Sequence, residues 1–217
     1  MSLNKEKTKK QDVSSSAAMK EKIRRVAAEM LIAHGYAGFR FQQIADALQC
    51  SRGNIHYHYK HKHILVEEVI IEYCQGTIQR FDEIWNSDVT FSEKIRQSME
   101  FNRSRYLKRN PTGNTGNPWS LIARMRLESD LITEPARAAL RDYSTSLHRC
   151  VVNGIRRAVQ RGELVSETPV EVVALPFVEI ANSADPITRD AGQFERLKQM
   201  YEAFKQIVTD AYGANKK

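Results

Sequence analysis

The sequence predicts an all-α protein of about nine helices, and two observations indicate this fold class. Apolar residues recur three and four positions apart along most of the 217 residues, whereas no segment shows convincing strand-like alternation. Capping and turn signals then divide the chain into segments of helical length, as at Thr90 with Glu93 three residues later, and in the loop of residues 110 to 118. With 41% hydrophobic residues, the chain can form a packed core.

The most informative stretch covers residues 41 to 62 and predicts two short helices joined by a tight turn. In the first helix Phe41, Ile44 and Leu48 share one narrow apolar side, so this helix can pack inward. Ser51 after the turn is a good N-cap, because its hydroxyl can accept hydrogen bonds from the free amides of a helix start. A second helix of about nine residues is expected to follow.

The second helix is expected to have one buried and one exposed side. Ile55 and Tyr59, four residues apart, face the core. Gly53 leaves the backbone free to approach a phosphate, and the amide of Asn54 can recognise adenine. The exposed side carries cationic, hydrogen-bonding and aromatic groups, which can contact base edges and phosphates. These residues are Arg52, His56, Tyr57 and Lys60.

The excess positive charge of the chain lies within and before these two helices. Residues 1 to 60 hold 11 Lys and Arg against 5 Asp and Glu, a net charge of +6, whereas the rest of the chain has a net charge of +1. Counterion release would convert this excess into salt-sensitive affinity for DNA. Residues 1 to 16, polar and rich in Lys and Ser, are expected to form a disordered basic tail that is either solvated or in contact with DNA.

Several independent positions across residues 20 to 66 resemble the DNA-binding domain of the TetR family. The matching positions are His34-Gly35-Tyr36, Ile44-Ala45, Ser51, Gly53, Ile55, Tyr57, Tyr59, Lys62 and Leu65. Three positions depart from the family pattern: Arg40 replaces Ser or Thr, Gln49 replaces the Gly of the turn, and His56 replaces Tyr. Arg40 cannot cap the first helix of the pair as a hydroxyl would, and Gln49 must adopt a strained backbone or a different turn.

The resemblance implies an N-terminal three-helix, helix-turn-helix DNA-binding domain over residues 17 to 62. A larger helical ligand-binding and dimerisation domain would then cover residues 63 to 217. The implied protein is a ligand-responsive repressor that binds double-stranded DNA at a palindromic operator as a homodimer, with an unidentified small-molecule effector. The residues expected to contact DNA are Arg40, Gln42, Ser51, Arg52, Gly53, Asn54, His56, Tyr57, His58, Lys60 and Lys62.

Six further helices are expected after this domain. They are placed at residues 64 to 85, 91 to 108, 119 to 129, 134 to 160, 169 to 185 and 193 to 212. The helix at 169 to 185 is expected to open with a capping box formed by Thr168 and Glu171, and to end near Pro186.

Two of these helices have wide apolar faces, which a second subunit could cover in a four-helix bundle. The residues assigned to this dimer interface are Leu140, Tyr143, Leu147, Val151, Ile155, Phe194, Leu197, Tyr201, Phe204 and Val208. The alternative is that the same faces form the internal core of a monomer.

Six residues are candidates for lining the effector pocket. These are Tyr73, Trp85, Phe101, Trp119, Met125 and Phe177, each of which could equally fill the core. Arg105, Arg124 and Arg126 could contact an acidic ligand, but arginines on helices usually lie on solvated faces, so they are not assigned to the site.

Other chemistries find little support. No phosphate-binding, dinucleotide-binding or hydrolase motif is present, so no catalytic residue, no cofactor and no enzymatic activity is expected. The dense histidines at 56, 58, 61 and 63 point in different directions on a helix, so no metal site is expected. No apolar run is long enough for a membrane span and no secretory signal is visible, which predicts a cytoplasmic protein. The alternative function is a helical small-molecule binding or protein-interaction module without specific DNA binding.

Overall fold

A computed structural model describes the backbone of residues 2–214 and the side chains of residues 16–214. In this part of the chain there are ten α-helices and no β-strand. The helices are α1 Ser2–Gly38, α2 Phe41–Ala47, α3 Arg52–His58, α4 Lys62–Asn86, α5 Phe91–Arg109, α6 Leu121–Leu127, α7 Glu134–Gln160, α8 Val170–Asn182, α9 Ala184–Ala191 and α10 Glu195–Tyr212. None of the described helices is both long and apolar enough to cross a membrane.

The first three helices form a small unit in which α2 and α3 pack on each other and on α1. Their shared core contains Ile23, Phe39, Ile44 and Ile55, all essentially inaccessible to solvent. Helix α1 is kinked at Gly35, whose backbone is in the left-handed region (φ 69°) that glycine adopts readily.

The larger part of the molecule is built around α4 and α7, which pack along each other. A glycine is required where they approach most closely, because a Cβ on Gly154 of α7 would lie 2.4 Å from the Trp85 ring of α4. Helix α8 covers α7 on one side, and α10 packs against α5, α8 and α9. The connecting helix α4 also contacts α1, so the predicted division at residue 62 stays a prediction.

The expectation of about nine helices missed α9. Pro186, which is expected to end a helix, instead occupies the third position of α9, where a missing backbone N–H breaks no helical hydrogen bond. The capping box expected at Thr168 does not form. Thr168 Oγ1 instead donates to the carbonyl of Val165 at 2.6 Å, while the Glu171 carboxylate accepts from Arg156 at 2.6 Å.

The disordered basic tail predicted for residues 1 to 16 falls on residues whose side chains, up to residue 15, lie outside the described part of the structure. The backbone from Ser2 onward is assigned to α1. The prediction for the tail stays a prediction.

Candidate DNA-binding surface and effector cleft

Helix α2 begins after Arg40, an N-cap residue without a hydroxyl group. The side chain of Arg40 makes no capping bond, as its lack of an acceptor requires, and the Gln43 side chain accepts from the Arg40 backbone amide at 2.7 Å. In the turn that follows, Gln49 has φ 52°, so this non-glycine residue carries the strained backbone that the sequence predicted as one of two possibilities.

Helix α3 is held by its N-cap and by two buried side chains. The Ser51 hydroxyl accepts from the Asn54 amide at 3.1 Å, and Ile55 and Tyr59 are buried, as predicted. The helix is shorter than expected, seven residues instead of nine, because Tyr59 turns to an extended conformation (φ −136°). Lys60 therefore lies outside α3, although its side chain is exposed.

The opposite side of α3 is open to solvent. Tyr57 exposes 80% of its surface, a large fraction for an aromatic side chain. The other exposed residues predicted to contact DNA are Arg40, Gln42, Ser51, Arg52, Gly53, His56 and Lys60. Asn54 and His58 are half-buried. The structure thus gathers the predicted contacts of α3 into one surface on the outside of the molecule.

Two of the histidines are partly engaged within the protein. The His56 ring meets the Phe41 ring edge-on at 4.9 Å, which ties α3 to α2. Desolvation and the nearby charge of Lys20 lower the pKa of His58. Within residues 16–214, no group of three or more His, Cys, Asp or Glu side chains is arranged to hold a metal ion.

Lys62 has a partner inside the protein. Its ammonium donates to the Tyr36 carbonyl at 2.5 Å and lies 4.3 Å from the centre of the Tyr36 ring. Desolvation and repulsion from Arg40 lower the pKa of Lys62, although Glu128 acts in the opposite direction. This lysine therefore holds α4 against the end of α1, a role that the sequence did not reveal.

A buried tyrosine joins the two parts of the molecule through polar contacts. The Tyr59 hydroxyl donates to Glu68 at 2.6 Å and accepts from Arg24 at 3.2 Å. Burial and the hydrogen bond to Glu68 raise the pKa of Tyr59 to about 12. These contacts fix the end of α3 relative to α1 and α4.

A second contact between residues distant in sequence joins the end of α6 to the kink of α1. The Glu128 carboxylate accepts from the backbone amide of Tyr36 at 2.5 Å, and its other oxygen lies 3.1 Å from Arg124 Nε. A Cβ at Gly35 would lie 2.0 Å from Glu128, so this contact requires glycine there. The larger helical part thus binds directly to the backbone of α1.

The six candidates for the effector pocket fall into two groups. Trp85, Met125 and Phe177 are completely buried in the core, and the Trp85 and Phe177 rings pack 4.7 Å apart. The other three surround the guanidinium of Arg105, whose carbon lies 5.3 Å from the Tyr73 ring centre, 5.2 Å from that of Phe101 and 5.3 Å from that of Trp119.

Arg105 is a site candidate, although arginines on helices usually lie on solvated faces. The residue is half-buried, its guanidinium lies among three aromatic rings, and it lines a cleft of ≈ 500 Å³ together with Tyr73 and Phe101. Periodicity along α5 does not reveal this, because Tyr73 and Trp119 come from other segments of the chain.

The residues assigned to the dimer interface need a correction. All ten are buried within a single chain: Leu140, Tyr143, Leu147, Val151, Ile155, Phe194, Leu197, Tyr201, Phe204 and Val208. Their apolar faces are covered by helices of the same subunit, so their side chains are not available to a partner. The apolar side chains left exposed on α8 and α10 are instead Val172 (63%), Leu175 (53%) and Ile207 (67%).

Comparison with solved structures shows the same fold in several proteins of low sequence identity. E. coli NemR in its reduced form is 13% identical with a TM-score of 0.70, over 86% of this chain and 95% of that one. A TetR transcriptional regulator from Chloroflexus aurantiacus is 18% identical with a TM-score of 0.74, over 92% and 98% of the two chains. A TetR family regulator from Cytophaga hutchinsonii is 16% identical with a TM-score of 0.73, over 93% and 98%.

The sequence itself matches one family model. A search of curated proteins found no match. Residues 23–69, which contain α2, α3 and the start of α4, match the model of the bacterial regulatory proteins of the tetR family. Residues 23–69 therefore form a DNA-binding domain of the tetR family, and the chain as a whole has the fold of solved TetR regulators.

Proposed function

We propose that the protein is a non-enzymatic, ligand-responsive repressor that acts in the cytoplasm as a homodimer on a palindromic operator. The observation that carries the proposal is the exposed face of α3. The buried side chains of Ile55 and Tyr59 anchor the helix in the core, while Arg52, Gly53 and Tyr57 are exposed. A short helix presented in this way fits the major groove.

The homodimer is proposed to form through α8 and α10, which are neighbours in the fold. Val172, Leu175 and Ile207 are exposed, apolar and situated on these two helices. Covering them with the same surface of a second subunit would remove apolar area from water. Two copies of α3 could then reach successive major grooves, about 34 Å apart.

The repressor mechanism is proposed to depend on the position of α1. Glu128 and Lys62 both bind the Tyr36 peptide groups, so a ligand that moves α4 or α6 also moves the N-terminal unit. To lower operator affinity a hundredfold, the ligand must favour one arrangement over the other by about 2.7 kcal/mol.

A salt titration of binding to random duplex DNA, followed by fluorescence anisotropy, tests DNA binding by α3. Affinity should fall steeply with salt, since several phosphate contacts release counterions. Arg52→Ala should weaken binding and flatten the salt dependence, whereas Arg103→Ala, an exposed arginine on α5, should change neither. Binding that ignores both salt and Arg52 would contradict the proposal and favour a helical small-molecule binding or protein-interaction module.

A further inference from the structure

Arg105 has hydrogen-bonding capacity that the protein does not use. Its guanidinium is enclosed by the rings of Tyr73, Phe101 and Trp119, and the hydrogen bond described for it is the one from Nη2 to the Tyr73 hydroxyl, at 2.6 Å. A guanidinium has five N–H donors and stays protonated in proteins. The other guanidinium donors of Arg105 are not fully buried, so they remain accessible from the cleft and can bind a ligand there.

No carboxylate of the described residues 16–214 forms an ion pair with Arg105. The nearby Asp185 uses one carboxylate oxygen for the amides of Trp119 and Ser120, at 2.7 and 2.9 Å. Glu29, on the rim of the cleft, binds Lys108 and Arg109. Within this part of the chain Arg105 therefore has no directly paired carboxylate; desolvation lowers its pKa, but the contact with Tyr73 and the charge of Asp185 outweigh this effect and raise it.

Arg126 provides a useful comparison, because it is also partly buried and also forms no ion pair within residues 16–214. It donates to the Ser144 hydroxyl at 2.7 Å and to Asn182 Oδ1 at 3.3 Å, so neutral groups of the protein satisfy it. Arg105 lacks such a set of acceptors. Arg105 therefore keeps more donors for a ligand than Arg126 does.

The unused donors belong to a residue that lines a cleft of ≈ 500 Å³ between α1, α4 and α5. Ala28, Val69 and Gly76 contribute apolar or small surface to the cleft walls, and Tyr73 and Phe101 contribute aromatic surface. Of the other charged residues that line the cleft, Glu72 is paired with Arg24 and Glu29 with two cations, while Glu21 and Arg25 are exposed and opposite in charge. The lining charges other than that of Arg105 thus largely balance one another.

We propose that the effector is a small organic carboxylate with an apolar, preferably aromatic, body, and that Arg105 binds its carboxylate group. The planar guanidinium can donate two parallel hydrogen bonds to the two oxygens of a carboxylate. The aromatic walls fit the flat body of such a ligand. This inference rests on the proposed ligand-responsive function and names the ligand class of its site.

The position of the cleft supplies the link to DNA binding. Its walls come from α1, which leads into the helix-turn-helix, and from α4, which starts at Lys62 beside the Tyr36 carbonyl. An occupant contacts both helices at once and favours the arrangement in which they fit around it.

Isothermal titration of the full chain with four probes tests the ligand class. The probes are benzoate, phenylacetate, indole-3-acetate and octanoate, each compared with its own neutral primary amide. At least one carboxylate should bind, and it should bind more tightly than its amide. Arg105→Met should lower the affinity for that carboxylate by at least about tenfold. The affinity for the amide should not change in Arg105→Met. Arg103→Met, on the exposed side of α5, should change neither the affinity for the carboxylate nor that for the amide.

The wild-type comparison of carboxylate and amide decides the question even where Arg105→Met fails to fold. Arg105→Lys, which keeps the charge but loses the planar fork, should give an intermediate affinity. Equal affinities for every acid and its amide, no binding of any acid, or carboxylate binding that survives Arg105→Met would overturn the proposal.

A second arm separates this inference from the proposed function. The binding carboxylate is added to the protein bound to random duplex DNA, and it should lower the affinity for DNA. If the carboxylate binds through Arg105 without any effect on DNA binding, the ligand class stands and the ligand-responsive function fails. If DNA binding is intact and no carboxylate binds, only the ligand class fails.

Discussion

The Glu128 carboxylate accepts a hydrogen bond from the Tyr36 backbone amide at 2.5 Å, although 92 residues separate them in the chain. On the other side of the same residue, the Tyr36 carbonyl accepts from Lys62 at 2.5 Å. A negative and a positive side chain therefore bind the peptide groups at the kink of α1. Because Glu128 ends α6 and Lys62 begins α4, the kink is the point where two helices of the larger part hold the N-terminal unit.

Replacing Glu128 with Gln should loosen this joint. The substitution removes the charge that strengthens the hydrogen bond to Tyr36 and should destabilise the fold by about 1 kcal/mol. Urea unfolding measures the loss of stability, and amide hydrogen exchange should be faster at Tyr36 and Ala37. Glu83→Gln, at an exposed pair with Arg80, is the control and should change neither quantity. Unaltered exchange at Tyr36 in Glu128→Gln would show that the contact does not hold the kink.

Replacing Gly53 with alanine should raise the stability of the protein but lower its affinity for DNA. A Cβ at this position would meet only Ser51 Oγ, at 3.7 Å, so the protein itself has space for a side chain. Gly53→Ala should therefore stabilise the protein by up to about 1 kcal/mol, since alanine favours the helix. It should nevertheless weaken DNA binding, because the added methyl group lies where a phosphate would approach the backbone.

The matched control is Thr145→Ala, at an exposed position of α7, where alanine also favours the helix. It should stabilise the protein similarly and leave DNA binding unaltered. Thermal melting and anisotropy with duplex DNA check both variants. Full DNA affinity in Gly53→Ala would disprove a close backbone approach at this position.

Lys94 stabilises the end of α4 from inside the core. Its buried ammonium donates to the Trp85 carbonyl at 3.1 Å and to the Ser87 carbonyl, and burial lowers the pKa of this lysine. Lys94→Met keeps most of the aliphatic stem but leaves the carbonyls without their donor, which should cost about 1–3 kcal/mol in urea unfolding. Lys198→Met, on the surface of α10, should cost far less. Equal stability of the two variants would mean that water replaces the ammonium.

Alkaline pH should destabilise the fold, because buried thiols and a buried phenol ionise more easily in the unfolded chain. Burial raises the pKa values of Cys74, Cys150 and Tyr143 to about 12, from 9.0 for the thiols and 10.0 for the phenol. Because these folded pKa values are raised, the stabilisation is complete below about pH 9 and is lost as pH rises towards 12.

Over that window the free energy of unfolding should fall by about 1.4 kcal/mol per pH unit for each ionising group. Urea unfolding from pH 8 to 11 measures the slope. Cys150→Ser should reduce it, since serine does not ionise in this range. A free energy of unfolding that stays constant up to pH 11 would contradict the assigned burial.

The helix-turn-helix was predictable because its signals are local. The Ser51 cap, the buried pair Ile55 and Tyr59 and the strain at Gln49 all depend on neighbours within a few residues. The length of α3 was not predicted, since Tyr59 leaves the helix to reach partners on α1 and α4, namely Arg24 and Glu68.

The effector cleft and the dimer face were not predictable in the same way. An apolar stripe such as the one containing Leu147 and Val151 shows that a surface is covered, but not whether its own subunit or a partner covers it. Likewise, the ring of aromatics around Arg105 is assembled from α4, α5 and the segment before α6. Such contacts depend on tertiary packing, which periodicity does not encode.

Paired copies of α3 are proposed to recognise specific DNA. Selecting bound fragments from a pool of random duplexes, and footprinting the wild-type protein on the selected sequence, tests this recognition. We expect an inverted repeat with two protected half-sites centred about 34 Å apart. Selection that enriches no sequence, or a footprint with a single unrepeated site, would contradict it.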